Sequence, residues 1–200
     1  MVNVNAAKES QNGMDHSLPS VAGRSFWSSN PANVDNTITL VRYFADRYKD
    51  EGAFLGLGLL NEPFGNTTRK VLYDYYKRAY QSIRATGNDC VLTVAPMLLE
   101  QDAHIFWNFM LPPAYSNVWV EWHPYFRWGV DNVADEVLVN TSVKIEFQFK
   151  LTRWNSRPCH NRLYLGKWSF ATNNKFQNYR DLFYEFAAAQ LKVLNQAEGG

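Results

Sequence analysis

Four short clusters in this 200-residue chain carry side chains able to do chemistry. Asn61-Glu62-Pro63 sets an amide and a carboxyl directly after an apolar run, and His123-Pro124-Tyr125 sets an imidazole and a phenol after Val118 to Trp122. Gly166-Lys167-Trp168-Ser169 sets an ammonium after Leu163-Tyr164-Leu165, and Asn5 closes the strand-like Val2-Asn3-Val4. A protonated carboxyl can hand its proton to a departing oxygen and, once ionised, take one from water. Amide, imidazole and phenol groups orient a polar ligand by donating and accepting hydrogen bonds. Each cluster also has a plainer reading: a strand-end Glu can cap a backbone amide, and a lone His is usually a satisfied buried residue.

The elements that must position these groups are legible from hydrophobic spacing. Phe54 to Leu60 is seven residues without a charge, bounded by Gly52 and Pro63. Such a run reads as a strand buried on both faces, the kind found in parallel sheets. In α/β architectures, catalytic side chains gather at the C-terminal ends of the strands. Asn5, Glu62, His123 and Lys167 are therefore expected to face one another across a single pocket. Asp35 or Asn36 is expected to cap a helix running to about Tyr48, with Val41, Phe44 and Ala45 on its inner face. A second helix is expected from Thr67 or Thr68, with Leu72, Tyr75, Tyr76, Ala79 and Ile83 inward and Gly87 closing it. Cys90 to Val94 reads as a strand, Asp102 to Met110 as a short amphipathic helix, Val143 to Leu151 as helix or strand, and Tyr179 to Asn195 as a last helix. The βαβα alternation places the chain in the α/β class.

Composition adds bounds. Hydrophobic content of 46% and charged content of 20% are those of an ordinary globular domain, enough for one core. The net charge of +1 gives no electrostatic case for nucleic acid or an anionic membrane. No apolar run approaches membrane-spanning length. Two cysteines, Cys90 and Cys159, define no framework, and Cys90 at the head of a strand is expected to be a buried free thiol.

Ala6-Ala7-Lys8, Ser10-Gln11-Asn12-Gly13, Asn61-Glu62-Pro63, His123-Pro124-Tyr125, Gly166-Lys167-Trp168-Ser169 and the closing Gln190 to Gly200 segment follow one another along nearly the whole chain. In that order they resemble glycoside hydrolase family 5, and within it the fungal and oomycete exo-1,3-β-glucanases, the glucan 1,3-β-glucosidases. The resemblance implies a (β/α)8 TIM barrel that hydrolyses β-glucan with retention, without metal or cofactor. It makes Glu62 the acid/base and gives Asn61 the sugar 2-hydroxyl. His123 and Tyr125 would position the sugar and the nucleophile, with Asn5, Trp27 and Trp168 completing the substrate-binding set. The aromatic content of 16%, with seven Trp and eleven Tyr, suits a ligand that presents flat sugar faces.

Two departures shape the expected function. Where the family carries its nucleophile Glu, this chain carries Lys167. Retention needs two carboxyl groups roughly 5 Å apart, and a protonated ammonium neither attacks an anomeric carbon nor stabilises an oxocarbenium-like transition state. Length is the second departure, since such a barrel typically takes about 250 residues. Set against the family, residues 1–200 read as a single, incomplete catalytic domain: a partial barrel lacking roughly the first two strands, most of the third, and the eighth. The family is usually secreted, yet Met1 leads straight into strand-like residues with no signal peptide. The expected function is therefore a β-glucan hydrolase by ancestry with impaired catalysis. The alternative is an inactive remnant that only binds β-glucan or a protein partner.

Overall fold

The apolar strand near Glu62 can form only because two of its residues lack side chains. A Cβ on Gly56 would meet the Val91 carbonyl oxygen at 1.9 Å, so only glycine lets the two backbones approach this closely. A computed structural model describes residues 1–200, which fall into two units: Met1–Gln101 with Phe109–Val120, and Asp102–Asn108 with Glu121–Gly200.

In the first unit, strands β1 (Val2–Asn3), β2 (Gly56–Gly58), β3 (Val91–Val94) and the start of β4 (Val118–Trp122) pair side by side, all parallel. The register sets Leu57 between Val2 and Leu92, and Leu92 in turn against Val118. Helix α1 (Pro31–Arg47) joins β1 to β2, and α2 (Arg69–Arg84) joins β2 to β3, the alternation expected of a parallel sheet. The apolar stripe of α2 is buried throughout: Leu72, Tyr75, Tyr76, Ala79 and Ile83 are fully enclosed. Its two tyrosines also pin the sheet, since the Tyr75 hydroxyl donates to the Leu59 carbonyl at 2.7 Å and the Tyr76 hydroxyl to the Ala95 carbonyl at 2.8 Å.

The sequence-based helix boundaries hold for α2, which begins after Thr68 and ends at Arg84 ahead of Gly87 in a left-handed turn. They miss the start of α1. Its cap is Asn30, whose side chain accepts the Ala32 N–H, and Pro31 occupies the first turn. The expected helix over Asp102 to Met110 does not form; the segment is a succession of turns, with Phe106 and Met110 at positive φ. Only Gly56–Gly58 of the expected seven-residue strand is in the ladder.

In the second unit, β4 ends at Trp122 and β5 (Arg162–Leu165) neighbours it, with the Gly166 N–H donating to the Trp122 carbonyl. The stretch whose type was left open is helical. α3 (Asp135–Val137) runs through a wider-turned segment, Leu138–Phe147, into α4 (Gln148–Asn155). The core of this unit is aromatic: Trp122 meets Trp154 edge to face at 5.6 Å, and Phe126 meets Phe147 and Phe186 in the same manner. Helix α5 (Arg180–Leu194) closes it, and Gly199 then pairs with β5 through the Leu165 N–H. No helix in the chain is long and apolar enough to cross a membrane.

Candidate active site

Glu62 lies just past β2, where the chain keeps bonding to both neighbouring strands: Leu59 N–H donates to the Thr93 carbonyl, and Asn61 N–H to the Val4 carbonyl. Its backbone then turns sharply, with φ at +48°, a conformation that costs a non-glycine residue on the order of 1 kcal/mol or more. Three bonds hold that turn. Gln11, fully buried, donates from its amide to the carbonyls of both Asn5 and Asn61 at 2.8 Å, and the Leu98 N–H donates to the Pro63 carbonyl. Strain kept in place by such ties is typical of functional sites, where backbone shape aims a side chain.

Glu62 is 8% exposed. Its Oε2 receives the Asn61 amide at 3.4 Å, and the same oxygen stands 3.5 Å from His16 Nε2. The first unit sets Asn61 beside Glu62, joins the Asn5 and Asn61 carbonyls through Gln11, and adds His16 to the carboxyl's surroundings. Gln11 had been visible as part of a motif but without a role. His16 gave no signal, because its partner lies 46 residues on and no periodicity links them.

Trp27 is a correction. Expected as a substrate-binding ring, it is wholly buried, with its indole N–H donating to the Thr37 hydroxyl and its edge against Tyr75 at 5.1 Å. It anchors α1 to α2 and offers no face to a sugar. Trp122, another aromatic at a strand end, is likewise fully enclosed.

The second unit gathers His123, Tyr125, Lys167 and Trp168 around the ends of β4 and β5. His123 is buried and its Nε2 lies 2.9 Å from Glu121 Oε1, another buried carboxyl that sequence reasoning passed over because it sits inside an aromatic strand. Gly166 makes room for it. A Cβ there would lie 2.0 Å from Glu121 Oε1, so the glycine of the Gly-Lys-Trp-Ser motif seats this carboxylate. The negative charge of Glu121 adds to burial in raising the Tyr164 phenol above its ordinary value. Tyr125 is half-buried, edge-on to the exposed Trp128 at 5.3 Å, while Lys167 and Trp168 are half-buried, the latter edge-on to Phe170. Both cysteines are free, Cys90 half-buried with its thiol pushed up by burial and Cys159 exposed. The surface groove between α1 and α2, lined by Asp35, Arg42, Asp46 and Arg78, contains none of these residues.

Comparison with known proteins gives these strand ends their context. The chain is 32% identical over 133 residues to a glucan 1,3-beta-glucosidase of Pichia angusta, a match spanning 62% of this chain and 29% of that protein. Its fold matches the crystal structure of AoRut, with a TM-score of 0.74 at 16% identity over 99% of this chain and 55% of that one. It also matches rutinosidase from Aspergillus niger, with a TM-score of 0.67 at 15% identity over 99% and 56%. The five parallel strands with their helices thus correspond to part of a (β/α)8 barrel. The family model for cellulase, glycosyl hydrolase family 5, matches residues 16–194, and with nearly the whole chain inside that match, the protein belongs to glycosyl hydrolase family 5.

Proposed function

We propose that this chain recognises β-glucan as a family 5 glycoside hydrolase, with Glu62 in the acid/base role and hydrolysis impaired at Lys167. The observation that carries the reading is Glu62 itself: a carboxyl almost enclosed at a strand end, on a strained backbone, with an amide from the preceding Asn61 on its Oε2. A carboxyl held at a strand end is the group type that acid/base catalysis uses. Asn61 and Asn5 suit hydroxyl recognition, and His123, Tyr125 and Trp168 suit holding a sugar ring. The name of the Pichia angusta relative supports 1,3-β-linked glucan as the ligand to try first.

Lys167 is the reason for expecting poor turnover. Double displacement needs a second carboxylate to attack the anomeric carbon, and a lysine ammonium has no lone pair to offer in that step. The chain spans 29% of its curated relative, so the activity of the whole protein is part of this proposal. The test is release of glucose from laminarin-type oligosaccharides by the purified chain beside a Glu62→Gln control. Rates for the two are expected to coincide, while isothermal titration detects oligosaccharide binding. Turnover that disappears in the Glu62→Gln protein would show that the second carboxylate is dispensable and overturn the impairment.

A further inference from the structure

We infer that Asn66 is an acceptor site for an N-linked glycan, and that the fold selects it over the chain's other candidate, Asn140. The inference goes beyond the functional proposal and does not depend on it.

Two stretches of the sequence set a hydroxyl residue two places after an asparagine with no proline between, the pattern that N-glycosylation reads: Asn66-Thr67-Thr68 and Asn140-Thr141-Ser142. The transferase has to engage the asparagine amide and the hydroxyl together, so both must lie on one accessible side of the chain. Around Asn66 they do. Thr68 is extended, with φ at −90° and ψ at 132°. In extended chain, side chains two apart share a side and the one between points the other way. Thr67 is 5% exposed and its hydroxyl donates to the Gln11 carbonyl at 2.8 Å, so the middle residue faces inward. Asn66 and Thr68 on either side of it are both exposed.

The backbone beneath them is tied down. The Asn66 N–H donates to the buried Ser25 hydroxyl at 2.8 Å. The Ser28 hydroxyl donates to the Asn66 carbonyl at 3.4 Å and accepts the Thr68 N–H at 3.1 Å, bridging the two ends of the motif. These bonds use main-chain groups of Asn66 and Thr68, and the Thr68 hydroxyl caps no amide of α2. A sugar joined to the Asn66 amide therefore breaks none of them. The second motif lies within the helical segment Leu138–Phe147, where residues two apart do not face each other. There the Asn140 amide oxygen already accepts the Lys144 ammonium at 2.9 Å.

The co-reactant is an oligosaccharide carried on a lipid pyrophosphate. Asn66 Nδ2 attacks C1 of its first sugar: the Nδ2–C1 bond forms, the C1–O bond breaks, and the pyrophosphate leaves with the electron pair. One amide proton passes to a carboxylate of the transferase, and nothing is oxidised or reduced.

The test is to express the full chain in yeast behind a cleavable secretion leader and treat it with peptide N-glycosidase in heavy-oxygen water, which tags each occupied asparagine for mass spectrometry. The tag is expected on the Asn66 peptide, lost in Asn66→Gln and Thr68→Val, and retained in Thr68→Ser, which keeps the hydroxyl. The glycosylated chain should unfold at no lower temperature than Asn66→Gln, since the side chain that bears the sugar holds no other contact. An untagged Asn66 peptide, a tag that survives Thr68→Val, or equal occupancy of Asn140 overturns the inference. None of these readouts involves glucan, so absent sugar binding with an occupied Asn66 would defeat the functional proposal and leave this one standing.

Discussion

At the scale of single residues, the second unit stakes its geometry on Gly166. Its φ is unremarkable for any residue, so the requirement is space and not backbone freedom: the Glu121 carboxylate occupies the place a methyl would take. Gly166→Ala should therefore push Glu121 away from His123 and destabilise the chain by about 1–3 kcal/mol, the usual cost of overpacking. Denaturant unfolding measures the loss, and an unchanged midpoint would mean that Glu121 is free to move. Gln190 makes the opposite prediction. It is fully buried in α5, and neither atom of its amide has a hydrogen-bond partner. Desolvating such a group without compensation costs about 1–3 kcal/mol, so Gln190→Met should raise stability by about that amount in the same assay. Glu121 also shows what sequence alone conceals. Glu62 and His123 stood out because each follows an apolar run, whereas Glu121 and His16 acquire meaning only from partners that no spacing rule reveals.

At the scale of elements, the strand ends and α2 were legible and the long helical run was not, for a physical reason. α2 repeats Leu72, Tyr75, Tyr76, Ala79 and Ile83 at helical spacing and stops near a glycine. Residues 135–155 bury Leu138, Val139, Val143, Phe147, Leu151 and Trp154, a pattern stretched by the wider turns of Leu138–Phe147, so its periodicity favours neither type. The cap of α1 was missed although Pro31 after Asn30 is a standard opening. The clarity of α2 also yields a pH prediction. Burial raises the Tyr75 phenol well above its ordinary value, while the unfolded phenol ionises near pH 10. Below that pH both states hold the proton, and stability is constant. Above it the unfolded chain loses a proton that the folded chain keeps, so stability falls as pH rises. Tyr75→Phe should cost about 1 kcal/mol at pH 7, through the lost bond to Leu59, yet show a shallower decline between pH 9.5 and pH 11. Parallel curves for the two proteins would mean that Tyr75 is not the group responsible.

At the scale of the whole molecule, family membership and chemical competence separate. Residues 16–194 match the family model, so ancestry is written along the chain, while under the proposed reading competence turns on one position, Lys167. Binding demands less than catalysis, because hydroxyl-orienting amides and an imidazole suffice to hold a sugar, whereas double displacement needs a second carboxylate as well. The protein should therefore reveal itself through ligand-linked stability before it does so through turnover. A ligand that binds only the native state at 100 times its Kd adds about 2.7 kcal/mol, and for a chain of this length each kcal/mol moves Tm by about 2–4 °C. Thermal unfolding followed by circular dichroism is thus expected to show a rise of roughly 5–10 °C in saturating laminarin-type oligosaccharide. The rise should persist in Lys167→Ala, which removes the ammonium without touching the amides of Asn5 and Asn61. It should shrink in Asn61→Ala, which removes the amide beside Glu62. A Tm indifferent to the sugar in all three proteins would mean that the family's strand ends survive here without the recognition they serve.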